Sequence, residues 1–503
     1  MQKCNILFIQ VDQLAAKFLK CYGDGICRSP NLERLAAGGT VFDTTYCNFP
    51  LCAPSRASMA TGKLCSEVGA YDNAAELPAT IPTYADYLRA SGYRTALSGK
   101  MHFIGPDQHH GFEKRLTPDL YPADFSWVPN WGDEGERDTN DARSVTIAGI
   151  CERSIQIDFD ELVTFHAVQH LYDIARSDDR RPFFLQVSYT HPHEPYLCGK
   201  KHWEMYDHDD IPLPSVPPLS QSEHDAHSAR LLKDFGMLDS AFAEEDVRKA
   251  RHAYYGSISY LDELIGRVLS ALKATGKDND TVVFFTSDHG EMLGERGMWF
   301  KKHFYEASLR IPLIVSGGPF GPGRNATPAS LVDLLPTFMG IAEGSGWTSE
   351  VENLDGDDLS TFLENDNPDR PVYAEYLAEA TTAPIFMIRR GRYKYINSAD
   401  DPPLLFDVLN DPDERENLSG SASLANTEAD LRNHVLRRWD SDRLSDAIRL
   451  SQRRRRLVLK AGKRGARPRW NHGEDPASDV MWYRGETSYN EWAFSYLPIL
   501  ENG

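Results

Sequence analysis

Five positions in this 503-residue chain offer side chains that anion chemistry needs: a nucleophile at Cys52, a fixed cation at Arg56, and Lys100, His102 and His193 just past strand-like runs. A second set, Asp12-Gln13 and Asp288-His289, is rich in oxygen donors and carries one imidazole. Such a set suits Ca²⁺, or Mg²⁺ or Mn²⁺, better than a closed zinc site. Pro54 suits the first position of a helix running to Gly62, which would turn free N–H groups and a positive dipole end toward Cys52. Arg56, one turn on, adds a guanidinium fork shaped for a tetrahedral oxyanion. Together these residues describe a centre that holds an anion, activates a nucleophile with a cation and moves protons.

The run Cys52-Ala53-Pro54-Ser55-Arg56 with Thr61-Gly62 resembles the signature of the type I sulfatases, members of the alkaline phosphatase superfamily. In that family the cysteine is oxidised after synthesis to formylglycine by a formylglycine-generating enzyme, so the resemblance implies that partner, with Pro54 and Arg56 as its recognition residues. It also implies metal ligation by Asp12, Gln13, Asp288, His289 and an oxygen of modified Cys52. Arg56, Lys100, His102, His193 and Lys301 then act on the sulfuryl oxygens, the aldehyde hydrate and the leaving oxygen. The Asp12-Gln13 pair is like the branch holding choline sulfatases and phosphonate monoester hydrolases. Ser98 to Asp107, Tyr121 to Phe125 and Met292 to Gly297 resemble choline sulfatases more closely, and by position Asn73, Trp127 and Glu379 match that family's substrate pocket. An aromatic face and a carboxylate are what a quaternary ammonium requires. Two stretches depart from the pattern: Asp138 to Asp141, and the aromatic tail Trp482 to Trp492.

The implied activity is hydrolysis of the sulfate monoester of a small alcohol, choline sulfate or a related organosulfate. Two alternatives stay open: a phosphonate monoester or phosphodiester hydrolase using the same nucleophile, and an inactive sulfatase-like binding or scaffold protein.

These residues need elements to position them. Ile6 to Val11, Tyr93 to Ser98, Pro182 to Tyr189 and Thr281 to Thr286 read as buried strands, each delivering polar residues at its end. Helical patterns cover Asn31 to Ala37, Pro82 to Ala90 and Val247 to Ala274. Strands alternating with helices predict an α/β fold, a large mostly parallel sheet sandwiched by helices with the site at the strand ends, and the sulfatase resemblance implies that this sheet is alkaline phosphatase-like. Residues 106–145 and 207–245 read as loop-like insertions. Short strands at Val372 to Tyr376, Pro384 to Arg389, Arg392 to Ile396 and Leu404 to Asp407 predict a smaller C-terminal α+β unit. The expected division is 1–365 catalytic, 366–425 antiparallel sheet, and 426–503 a helical then aromatic tail suited to a homo-oligomer contact, dimer or tetramer.

A net charge of −20 argues against nucleic acid or an anionic membrane as partner. Arg453 to Arg456 is the basic exception, expected on a solvated or subunit-contact face. No apolar run reaches membrane-spanning length, and the N-terminus enters a strand with no signal-peptide layout, so the expected location is cytoplasmic. Eight cysteines without paired spacing predict mostly reduced thiols.

Overall fold

The structure, a computed structural model, describes residues 3–131, 141–238, 242–465, 470 and 488–497. Its main sheet is built from β1 (Asn5–Val11), β2 (Thr40–Phe42), β3 (Arg94–Gly99), β4 (Lys114–Arg115), β5 (Phe183–Ser188), β6 (Thr281–Ser287), β7 (Leu313–Ser316) and β8 (Gly323–Asn325), in the order β8-β2-β7-β6-β1-β5-β3-β4. The run β6-β1-β5-β3-β4 is parallel, while β7 pairs antiparallel with β6 and β2. The four site-bearing strands β6, β1, β5 and β3 are adjacent, and their last residues are in register: Val11 lies opposite Ser287, Gln10 opposite Ser188, and Gly99 opposite Ser188. Everything that follows those residues therefore emerges at one edge. All residues of β1, β5 and β6 are buried, as apolar runs covered on both faces require.

Helices α1 (Pro30–Gly38), α4 (Ile155–Arg176) and α6 (Glu244–Ala274) pack together, as do α2 (Cys52–Thr61), α3 (Tyr84–Ala90) and α7 (Leu334–Glu343), while α5 (Ala226–Asp234) falls between α4 and α6 in sequence. Strand β3 meets α3 from one group and α4 from the other, so the groups flank the sheet. The 22-residue α4 is absent from the sequence reading, and the expected loop 207–245 contains α5.

The four C-terminal strands fall within two residues of expectation: β9 (Val372–Tyr376), β10 (Ile385–Arg390), β11 (Tyr393–Ser398) and β12 (Leu404–Asp407) form an antiparallel meander. Helices α8 (Ala425–Arg438) and α9 (Ser441–Gly462) follow it, and α10 (Tyr489–Ala493) leads into Tyr496–Leu497, which pairs with Arg153–Ser154. Within the basic run, Arg453, Arg454 and Arg456 are exposed, as a solvated or subunit-contact face requires, and Arg455 alone departs from that expectation by being buried. Asp138 to Asn140 and Trp482 to Thr487 lie outside the described residues. Among the described residues, no helix is long and apolar enough to cross a membrane. All eight cysteines are unpaired.

Candidate active site

The nucleophile helix differs from expectation by two residues. It begins at Cys52, with extended Leu51 as its N-cap and Pro54 at its third position, and Gly62 closes it in the left-handed conformation (φ 66°). Pro54 still removes a donor that no helical carbonyl would have met. Leu51 has no side chain that can cap. The Ala53 N–H instead donates to Asn73 Oδ1 at 3.0 Å, so a residue twenty positions away completes the helix start. Cys52 thus sits at the positive end of the dipole, 2 % exposed. Burial would push its thiol up, yet the Lys100 and Lys301 ammonium groups outweigh it and hold it well below the usual thiol range.

Asp12, Cys52, Asp288 and His289 are all buried, and one ligand atom from each lies within 4.8 Å of the others. The two carboxylates are divided between two tasks. Asp12 Oδ2 accepts from Arg56 Nη2 at 3.0 Å and from Lys100, and Asp288 Oδ2 accepts from Arg56 Nε at 2.8 Å. Their Oδ1 atoms lie 3.9 and 3.8 Å from His289 Nε2. Asp12 Oδ1 has no hydrogen-bond partner although it is buried. His289 Nδ1 lies 3.0 Å from the Gly290 carbonyl, which assigns the proton to Nδ1 and leaves the Nε2 lone pair facing Cys52 Sγ at 3.2 Å. An orphaned buried oxygen, a second carboxylate oxygen and an imidazole lone pair converging on one point fit a hard divalent cation. Burial and the Cys52 charge raise the Asp12 carboxyl, but Lys100 and Arg56 outweigh them and keep it ionised.

Two expected roles change. Arg56 is fully buried and every guanidinium nitrogen is engaged, by Asp12 and Asp288, by the Lys100 carbonyl at 2.6 Å and by Ser188 Oγ at 2.8 Å. It is a clamp on the carboxylates and not an open anchor for the anion. Gln13, at φ 66°, is held by its N–H to Asp288 Oδ1 at 3.1 Å. Its side chain bridges Lys301 (2.5 Å, Oε1 accepting), Glu194 (2.6 Å) and Glu291, so the one atom that could reach a metal is shared with an ammonium.

Lys100 follows β3 directly. Gly99, at φ 111°, must be glycine, since a Cβ there would lie 1.9 Å from the Ser188 carbonyl. His102 (φ 57°) is fixed by its N–H to Asp119 Oδ2 at 2.9 Å, which also accepts from Met101 N–H. Its ring nitrogens are buried without hydrogen-bond partners, and burial moves the ring toward the neutral form. Asp160 of α4 accepts from the N–H groups of Thr190 and His191, setting the segment that delivers His193. His193 Nδ1 lies 2.7 Å from the Glu194 carbonyl, so Nε2 accepts from Lys301 at 2.8 Å. Burial disfavours the Lys301 charge, but Glu194, Cys52 and Asp12 more than restore it.

An aromatic group closes one side. Trp127 lies 5.7 Å from the His102 ring, 5.4 Å from Tyr121 and 5.3 Å from Tyr489. The Tyr121 and Tyr489 hydroxyls are 2.9 Å apart, and Lys100 Nζ sits 4.2 Å above the Tyr121 ring. Tyr121 and Tyr489 were not among the expected site residues; their aromatic segments were visible but not their meeting. Asn73 is at the nucleophile helix. Glu379 is paired with Lys302 at 2.7 Å.

A family model described as Sulfatase matches residues 4–345, and one described as N-sulphoglucosamine sulphohydrolase, C-terminal, matches 294–440. The chain belongs to the sulfatase family. It is 43 % identical over 484 residues to a choline-sulfatase of Rhizobium meliloti (strain 1021), covering 93 % of each chain. It is 30 % identical to the iduronate 2-sulfatase of Mus musculus over 374 residues, 68 % of this sulfatase and 64 % of that one. Among solved structures, BT1596, a 2-O GAG sulfatase, matches with a TM-score of 0.65 at 21 % identity, covering 95 % of this chain and 100 % of that one. The phosphonate monoester hydrolase of Agrobacterium radiobacter matches at 0.69 and 24 %, covering 86 % and 95 %. These two likenesses establish the alkaline phosphatase-like fold. The protein is a sulfuric ester hydrolase that cleaves sulfate monoesters.

Proposed function

We propose that this sulfatase hydrolyses the sulfate ester of a small alcohol with a cationic head, choline sulfate first among them, using residue 52 as formylglycine. The observation that carries the reading is the aromatic group of Tyr121, Trp127 and Tyr489 standing beside the Lys100, His102, His193 and Lys301 cluster. A quaternary ammonium gains most from aromatic faces in a desolvated pocket, on the order of 2 kcal/mol. The 43 % identity to a choline-sulfatase supports the same alcohol.

Asp12, Asp288, His289 and residue 52, with Gln13 at their side, would hold one divalent cation, Ca²⁺ by preference and Mg²⁺ or Mn²⁺ otherwise. When bound, that cation and the aldehyde hydrate at residue 52 supply a charged oxygen nucleophile at neutral pH. The chain's own residues do the rest. Lys100 Nζ and Lys301 Nζ face the sulfuryl oxygens with fixed positive charge in a buried site, where such stabilisation is worth most. Lys301 Nζ, hydrogen-bonded to His193 Nε2, holds the proton that the departing alkoxide takes. The neutral His102 ring has a free lone pair to accept a proton on the Cys52 side. Arg56 keeps both metal-facing carboxylates oriented.

Turnover of choline sulfate, an aryl sulfate and an aryl phosphonate by the purified enzyme tests this, with peptide mass spectrometry at residue 52. Choline sulfate should give the highest kcat/KM, residue 52 should carry the aldehyde mass, and Cys52→Ala should lose at least about 10³-fold in kcat. A thiol at residue 52 in fully active enzyme, or faster phosphonate turnover, would overturn it.

A further inference from the structure

The C-terminal helix α9 presents Ile448, Gln452 and Arg455 inward, spaced i, i+4, i+7 along one face, and all three are buried. Each polar member of this face grips a segment that carries a residue of the alcohol side of the site. Arg455 makes a two-pronged ion pair with Asp72, Nη1 to Oδ1 at 2.6 Å and Nη2 to Oδ2 at 2.7 Å, and Asp72 is completely buried. Asp72 Oδ1 also accepts from Ala74 N–H at 2.9 Å. The turn is thereby fixed on both sides of Asn73, whose Oδ1 caps the nucleophile helix at Ala53. Gln452 Oε1 accepts from the Trp131 N–H at 3.0 Å, four residues after Trp127. The Trp131 indole N–H in turn donates to the Ala378 carbonyl at 2.5 Å, one residue before Glu379.

We propose that Arg455 and Gln452 are positioning residues for alcohol specificity: one face of α9 holds the Asn73 turn, the Trp127 loop and the Glu379 segment in mutual register. Arg455 lies 383 residues from its partner and touches no reacting atom, so it acts only through the turn it holds. The anion side is built separately. Lys100 and His193 follow strands of the main sheet and Lys301 contacts Gln13, His193 and Glu194; among the described residues none of the three bonds to α9. Loosening α9 should therefore shift recognition of the alcohol while leaving the Lys100, His193 and Lys301 anion contacts in place; any slackening of the Ala53 cap lowers turnover of both esters alike and drops out of their ratio. A guanidinium fork meeting a carboxylate through two parallel hydrogen bonds fixes direction as well as distance, which a single ammonium contact does not.

This inference rests on the reading that Asn73 and Trp127 line the alcohol pocket. The test uses Arg455→Lys, which keeps the buried positive charge but loses the fork, and Gln452→Leu, which leaves the Trp131 N–H without an acceptor. Gln452→Glu keeps an acceptor and serves as the conservative rescue. For each full-length variant, KM and kcat are measured with choline sulfate and with an aryl sulfate, together with the inhibition constant of inorganic sulfate, which reports on the anion side alone. The expected result is a change of about tenfold or more in the choline-to-aryl ratio of kcat/KM, the scale of a misplacement remote from the chemistry. The sulfate inhibition constant should stay within about twofold, and Gln452→Glu should recover most of the ratio. Equal losses on both esters and on sulfate, or no change at all, would overturn the proposal. If Gln452→Leu does not fold, Arg455→Lys carries the same comparison. If the wild type ignores choline sulfate, the substrate reading fails on the unmodified enzyme, and the ratio is then taken between any two esters it does turn over.

Discussion

Replacing Arg56 with lysine separates the role expected from the motif from the role found in the fold. An arginine that gripped the sulfuryl group would, on becoming lysine, weaken every anion that enters the site. In the structure the guanidinium instead spans Asp12 Oδ2 (3.0 Å) and Asp288 Oδ2 (2.8 Å) and is anchored behind by Ser188 Oγ (2.8 Å) and the Lys100 carbonyl (2.6 Å). Lysine keeps the positive charge, so the attraction between the two carboxylates and a divalent cation changes little. An ammonium has no planar fork to reach both carboxylates at once, so their Oδ1 atoms lose their fixed aim. Loss of such an orienting partner costs roughly 10–100-fold in metal affinity, about 1.4–2.8 kcal/mol. Arg56→Ala is the less informative variant: it leaves Asp288 without its cation and Asp12 with Lys100 alone, and breaking such a buried pair costs about 3–5 kcal/mol of stability. The assay is calorimetric titration of Ca²⁺ into metal-stripped wild type and Arg56→Lys, alongside sulfate inhibition at saturating Ca²⁺. The expected outcome is a weakened Ca²⁺ isotherm, recovery of kcat when Ca²⁺ is raised, and a sulfate inhibition constant within about twofold of wild type. An unchanged isotherm with sulfate binding weakened tenfold would refute the reasoning and return Arg56 to the anion.

Three further outcomes follow from the same geometry. Trp127→Ala should raise KM for choline sulfate by about 30-fold, the equivalent of a cation–π contact near 2 kcal/mol, while an aryl sulfate changes much less; steady-state kinetics on both esters checks it. Tyr121→Phe and Tyr489→Phe should each cost about 1 kcal/mol in kcat/KM, and the double variant should cost less than their sum, because the two hydroxyls are 2.9 Å apart and share one hydrogen bond. Burial lifts Glu375, held by Ser66 and Trp439, from the usual glutamate value to about 7 despite those hydrogen bonds and nearby Arg438. Between the unfolded value near 4.5 and about 7 the folded chain keeps a proton that the unfolded chain has lost, so stability falls as pH rises through that window, by up to about 3 kcal/mol. Glu375→Gln should flatten the difference in thermal midpoint between pH 5 and pH 8.

The sequence alone determined the elements whose signals are local. The apolar runs that became β1, β3, β5 and β6, the polar residues that follow them, Gly62 at the end of α2 and the C-terminal meander all depend on neighbours a few residues away, and the structure places them within one or two residues. Helix α4 escaped because its buried residues, among them Phe159, Asp160, Val163, Thr164 and Ala167, blur the single apolar stripe that marks a surface helix. Side-chain partners were decided only by tertiary structure. Whether Arg56 faces an anion or two carboxylates depends on Asp12 and Asp288, 44 and 232 residues away, and whether Arg455 faces water depends on Asp72, 383 residues away. The same holds for the start of α2, completed by Asn73, and for Tyr489, which the chain's tail brings to Tyr121. A charge or a hydroxyl carries no period in the sequence; its role is set by whichever group the fold leaves within 3 Å of it, and that distance exists only once the sheet has brought its strand ends to one edge.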